Sequence, residues 1–193
     1  MFDNLKLFTH LSVELERYTA ANSNFDRTRP YVSMSHVTLS EEEIMALFLN
    51  GFEDSLAIRL RCYKGYQMER DLKERISKVF PDQVKFGIEI EAFQGMVLGH
   101  PDFFFAGYPA DCKSVPLDEH LPGGKLPRRV YWQMQAYMKY SLKSQALVIY
   151  ESRETGRIMH YWIRENLAIQ AEINHKLQRV VEAIGNIKIN RAS

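Results

Sequence analysis

Residues 99–115, GHPDFFFAGYPADCKSV, place Asp102, Asp111 and Lys113 in an apolar, aromatic-rich run that otherwise has the composition of sheet interior. Charges in such surroundings are costly unless they are paired or hold a metal. A two-residue turn at Ala106 and Gly107 makes the run a β-hairpin in which opposed residue numbers add to a constant. Phe105 then faces Tyr108, Asp102 faces Asp111 and His100 faces Lys113. Side chains two apart share a face, so this register predicts a cluster of His100, Asp102, Asp111 and Lys113. Two opposed carboxylates about 5 Å apart repel unless a divalent cation lies between them. Oxygen donors of this kind suit magnesium and manganese, and a lysine beside such an ion suits phosphate chemistry.

Outward from the hairpin, the pattern alternates between helix and strand. Upstream, Leu5, Phe8, Leu11, Leu15 and Tyr18 repeat at helical spacing and predict a helix over residues 2–19, followed by a loop over 21–30. Ser40 with Glu43 forms a capping-box pattern and starts a helix ending near Asn50. A further helix is expected over about 55–79, with Gly65 as a candidate break and a stop before Pro81. Residues 83–93 alternate as a strand, and 96–106 and 110–115 form two more. After a Pro- and Gly-rich loop, a helix is expected over 128–143. A hairpin closed by RETG follows at 145–163, and a last helix over 165–185 carries Leu167, Ile173, Leu177, Val180 and Ile184.

This order predicts an α/β (α+β) chain with a central mixed sheet flanked by helices. The 193 residues read as a single domain (1–193): an N-terminal helical extension (1–54), a core (55–165) and a C-terminal helix (166–193). Composition is ordinary for a globular chain, at 46% hydrophobic, 25% charged and net charge +1, so nucleic-acid contact requires a local basic patch. Two cysteines, Cys62 and Cys112, are too few for a four-cysteine zinc or iron–sulfur site. No apolar run spans a bilayer and no signal peptide is recognised, which predicts a cytoplasmic protein without a membrane partner. LPGGKLP has Leu126 where a phosphate-binding loop needs Ser or Thr, so no nucleotide cofactor is expected.

Pro101-Asp102, eight residues, then Asp111-Cys112-Lys113 resembles the PD-(D/E)xK nuclease superfamily, whose core is a restriction-endonuclease-like mixed sheet flanked by helices. Gln133-x-x-x-Tyr137 resembles the QxxxY motif of its RecB-like and lambda-exonuclease-like branch, and Gly65-x-x-x-Glu69 resembles its first motif. The resemblance implies Glu69, Asp102, Asp111, Lys113, Gln133 and Tyr137 as catalytic residues. Glu69, Asp102, Asp111 and the Cys112 backbone carbonyl would hold Mg²⁺ or Mn²⁺, with His100 an additional candidate. Lys113 would position or polarise the attacking water, and Gln133 and Tyr137 would orient Lys113 or touch the DNA backbone.

Lys125, Arg128, Arg129, Lys139 and Lys143 form a basic window without acids. With Trp132, they are the expected DNA contacts. The implied function is a metal-dependent DNase without an iron–sulfur cluster, an exonuclease in recombination, repair or phage DNA processing in a bacterial or phage-infected cell. Its partners would be a DNA end or single strand, together with a homo-oligomer or a recombination protein. The alternatives are a structure-specific endonuclease and a DNA-binding or assembly module that has lost turnover.

Overall fold

The computed structural model describes residues 31–51 and 56–192, with side chains from 65 to 187 in the two long helices. The helix expected over 2–19 and the loop after it lie outside the described residues.

After a short strand β1 (Val32–Ser33), helix α1 (Glu41–Asn50) starts as its capping box requires. Ser40 Oγ accepts the Glu43 N–H at 3.2 Å, and Glu43 returns a carboxylate to Ser40 N at 2.7 Å. Helix α2 (Leu56–Val79) runs unbroken through Gly65 and ends before Pro81.

Residues 83–93 do not make one strand. Gly87 turns the chain at φ +68° and splits the segment into β2 (Val84–Lys85) and β3 (Ile90–Ala92). Residues 96–106 likewise divide into β4 (Val97–Gly99) and β5 (Phe103–Phe105). The expected single sheet is therefore two. β1, β4 and β3 form a small sheet in that order. The larger sheet has the order β2-β5-β6-β7-β8, with β6 at Tyr108–Val115, β7 at Gln145–Ser152 and β8 at Ile158–Arg164. Only β6 and β7 run parallel in the large sheet. Helix α3 (Arg128–Ser141) supplies the crossover that a parallel pair needs.

Helix α3 packs against the large sheet, β3 and α4 (Leu167–Ala192). Being covered on many sides, it buries an almost continuous run from Trp132 to Met138, as a central helix must. Ile173, Leu177, Val180 and Ile184 of α4 are buried as their spacing predicts, whereas Leu167 at its start is exposed. On the other face of the large sheet, α2 places Leu72 over Phe103, Ala110, Cys112, Leu147 and Ile149. Asp111 and Lys113 thus face α3, and Cys112 faces α2.

Candidate active site

The β5–β6 hairpin forms as its sequence requires. Ala106 and Gly107 have φ of 50° and 84°, the positive values of a type I′ turn. Phe105 pairs with Tyr108, Phe104 with Pro109 and Phe103 with Ala110. The ladder then stops. The next hydrogen-bonded pair would join Pro101 to Cys112, and Pro101 has no N–H to give. Asp102 takes over: its Oδ2 accepts the Cys112 N–H at 2.6 Å. From Asp111 to Val115, β6 has no strand neighbour on the β5 side, and this gap is where the charged residues meet.

Asp111 is buried, and its carboxylate pairs with Lys113 two residues along the same strand. Burial raises the Asp111 pKa, against the pull of Lys113 and with a push from Asp102. Burial also disfavours the Lys113 charge, yet Asp111 and Asp102 hold its ammonium above the usual lysine range. Cys112 is a buried free thiol raised by burial and by the neighbouring aspartates, so it has no thiolate chemistry near neutrality.

His100 does not join this cluster. The ladder that would have placed it opposite Lys113 ends at Phe103. Instead its ring is half-exposed, with Nε2 2.7 Å from Glu89 Oε2 and the ring 5.8 Å from that of Tyr31.

Across the gap, α2 presents Glu69 and, one turn on, Lys73. Lys73 Nζ stands 2.6 Å from Asp102 Oδ1. Burial first and Asp102 second push the Glu69 carboxyl up to about 7, while Lys113 and Lys73 draw it back. Glu69, Asp102 and Asp111 therefore share one electrostatic environment. Among the described residues, no three acidic, histidine or cysteine side chains stand close enough to grip one ion; Lys73 and Lys113 pair with the aspartates. Lys73 escapes sequence reading because it lies in a run of charges that resembles a solvated helix face. Its only signal is the one-turn spacing from Glu69.

Gln133 and Tyr137, four apart on α3, are both buried. Gln133 Nε2 donates to Tyr137 Oη at 2.8 Å, and Tyr137 Oη donates to the His100 carbonyl at 3.2 Å. They hold the backbone two residues before Asp102 and make no hydrogen bond to Lys113. Gly99 permits this approach: a methyl there would stand 2.8 Å from Tyr137 Cε1. Gln135, in the same motif, is wholly buried and bonds the Arg164 carbonyl and Asn166 N–H. Buried Glu151 is paired with Arg75 of α2 at 2.5 Å. Neither role has a local sequence signal.

The basic window does not form one patch. At about 100° per residue, Arg128 and Lys139 lie some 120–180° around α3 from Gln133 and Tyr137, whereas Arg129 lies about 40° from Gln133. Lys143 falls beyond the helix. Trp132 is 6% exposed, with the Arg128 guanidinium 4.6 Å and Lys176 Nζ 5.4 Å from its ring. Its ring is therefore not available for base stacking. Lys125 and Arg128 line a cleft of about 530 Å³ with Tyr131, Tyr161 and Arg164, beside the edge strand β8.

This arrangement, a short hairpin opening beside a parallel strand pair with helices on both faces, is the fold of exonuclease structures. An alkaline exonuclease (LHK-Exo) from Laribacter hongkongensis matches at TM-score 0.64 and 15% identity, over 87% of this chain and 96% of that one. The same enzyme in complex with dAMP matches at TM-score 0.60 and 16% identity, over 84% and 94%. A phage-related exonuclease from Haemophilus somnus 129PT matches at TM-score 0.61 and 14% identity, over 84% and 96%. No family model matches the sequence, and no curated protein matches it. The likeness is one of fold.

Proposed function

We propose that this chain is a divalent-metal-dependent deoxyribonuclease that hydrolyses phosphodiester bonds, working from DNA ends as an exonuclease. The observation that carries this reading is the meeting of Glu69, Asp102, Asp111 and Lys113 at the gap beside β6, on a fold shared with exonucleases.

The donor set fits a hard cation. Glu69, Asp102 and Asp111 act on one another across the gap, and this repulsion contributes to the raised pKa values of Glu69 and Asp111. Such repulsion is what a divalent ion relieves. The alternation that directs the Cys112 N–H to Asp102 turns its carbonyl to the same side. Glu69, Asp102, Asp111 and this carbonyl would hold Mg²⁺ or Mn²⁺. When bound, the ion would supply Lewis-acid assistance to phosphodiester hydrolysis.

The chain's own groups do the rest. Lys113 keeps its charge at all physiological pH values, attracts the phosphoryl oxygens and orients water. Glu69, with a pKa of about 7, exchanges a proton with solvent as the site loads. Gln133 and Tyr137 act as positioning residues by fixing the chain that carries Asp102. Arg129 contacts the DNA backbone beside the site, and Lys125 and Arg128 contact it along the cleft. The biological setting is DNA recombination, repair or phage DNA processing.

The test is digestion of linear and covalently closed circular duplex DNA with Mg²⁺ or Mn²⁺, with and without chelator. Linear DNA is expected to be degraded from its ends and circles spared, with chelator stopping the reaction. Asp111→Asn and Lys113→Ala are expected to abolish cutting in folded protein. Circles cut as fast as linear DNA would indicate an endonuclease; DNA bound but left intact with both metals would indicate a binding module.

A further inference from the structure

Tyr150 sits on β7 as the register partner of Lys113. Strand alternation places both side chains on the α3 face, with Asp111 and Val148. The two side chains lean the same way. Lys113 reaches back one row to Asp111. The Tyr150 ring meets the Tyr161 ring edge to face at 6.0 Å, and Tyr161 is the register partner of Val148, also one row back. Lys113 and Asp111 thus occupy the neighbouring strand on the face that carries Tyr150, and both charges act on its phenol. The residue is 4% exposed, and its hydroxyl has no hydrogen-bond partner among the described residues. Its neighbours on this face are engaged: Gln133 with Tyr137, Tyr137 with the His100 carbonyl, and Asp111 with Lys113. A buried hydroxyl without a partner is destabilising, and its persistence beside a lysine calls for a function. Burial pushes the phenol up to about 12, so it stays neutral and keeps a lone pair to accept with.

We propose that Tyr150 is a positioning residue whose hydroxyl accepts a hydrogen bond from the Lys113 ammonium when the Asp111 carboxylate turns from Lys113 to a divalent cation. The inference rests on the nuclease reading for its catalytic consequence. The ion pair that occupies Asp111 has to open for Asp111 to bind metal, and the ammonium then needs a new acceptor that keeps it in the site. Tyr150 supplies one on the adjacent strand without moving the backbone.

Tyr150→Phe in the full chain tests this. Without metal, the variant is expected to melt at or above the wild-type Tm, because the hydroxyl bonds nothing there. Titration with Mg²⁺ or Mn²⁺, followed by Tm, is expected to need at least about fivefold more cation for half-maximal stabilisation. On linear DNA, kcat is expected to fall at least about tenfold, with KM within twofold. An unchanged cation midpoint overturns the proposal, and so does a metal-free Tm well below wild type, which would make the hydroxyl a core contact. A wild type that binds cation but cuts no DNA defeats the nuclease reading while the midpoint still judges Tyr150. A wild type whose Tm ignores both cations overturns both.

Discussion

Replacing Glu69 by glutamine makes the electrostatics of the site measurable. The Glu69 carboxyl is pushed from 4.5 up to about 7, by burial and then by Asp102. An acid with a raised folded pKa holds its proton more tightly in the folded chain. That stabilisation is fully present below pH 4.5 and is lost as the pH rises through about 7. A shift of this size corresponds to about 3 kcal/mol. Solvent reaches the partly exposed side chain, which reduces the expected loss to about 1–2 kcal/mol. Glutamine keeps the shape and stays neutral. In urea unfolding of metal-free protein, Glu69→Gln is therefore expected to match wild type near pH 5. Near pH 8 it is expected to exceed wild type by about 1–2 kcal/mol. Asp111, also raised by burial, is common to both chains, so the difference isolates Glu69. A saturating divalent cation that binds Glu69 favours its ionised form, so the advantage at pH 8 is expected to vanish or reverse. A difference that stays constant from pH 5 to 8 would refute the placement of Glu69 beside the aspartates.

Three further outcomes follow from the packing and the charges. In Gly99→Ala, the new methyl meets Met34 Sδ at 2.5 Å and Tyr137 Cε1 at 2.8 Å; the Met tail can shift, but Tyr137 is anchored at both ends, so a loss of about 1–3 kcal/mol in chemical denaturation is expected. Arg75→Ala strands buried Glu151 and is expected to cost about 1–3 kcal/mol, with Glu151→Gln in the double variant restoring part of the lost Tm. Arg129→Ala is expected to make the plot of log affinity for DNA against log salt less steep by about one unit, while Lys139→Ala, on the far flank of α3, leaves that slope unchanged.

Features that depend on neighbours along the chain are legible before folding. The Ser40–Glu43 capping box, the turn at Ala106 and Gly107, the shared face of Asp111 and Lys113, and the four-residue spacing of Gln133 and Tyr137 all follow from local geometry, and each stands in the structure. Tertiary packing decided the rest. The Asp102–Lys73 pair, the Tyr137 bond to the His100 carbonyl and the Arg75–Glu151 pair join residues whose elements meet only once the sheets have packed with α2 and α3. His100 turned outward because the ladder ended at Phe103, short of Pro101, and Trp132 turned inward because its helix is the central one. Alternation and helical period state which side of an element a residue occupies. What lies across from that side is decided by how the whole chain buries its apolar surface.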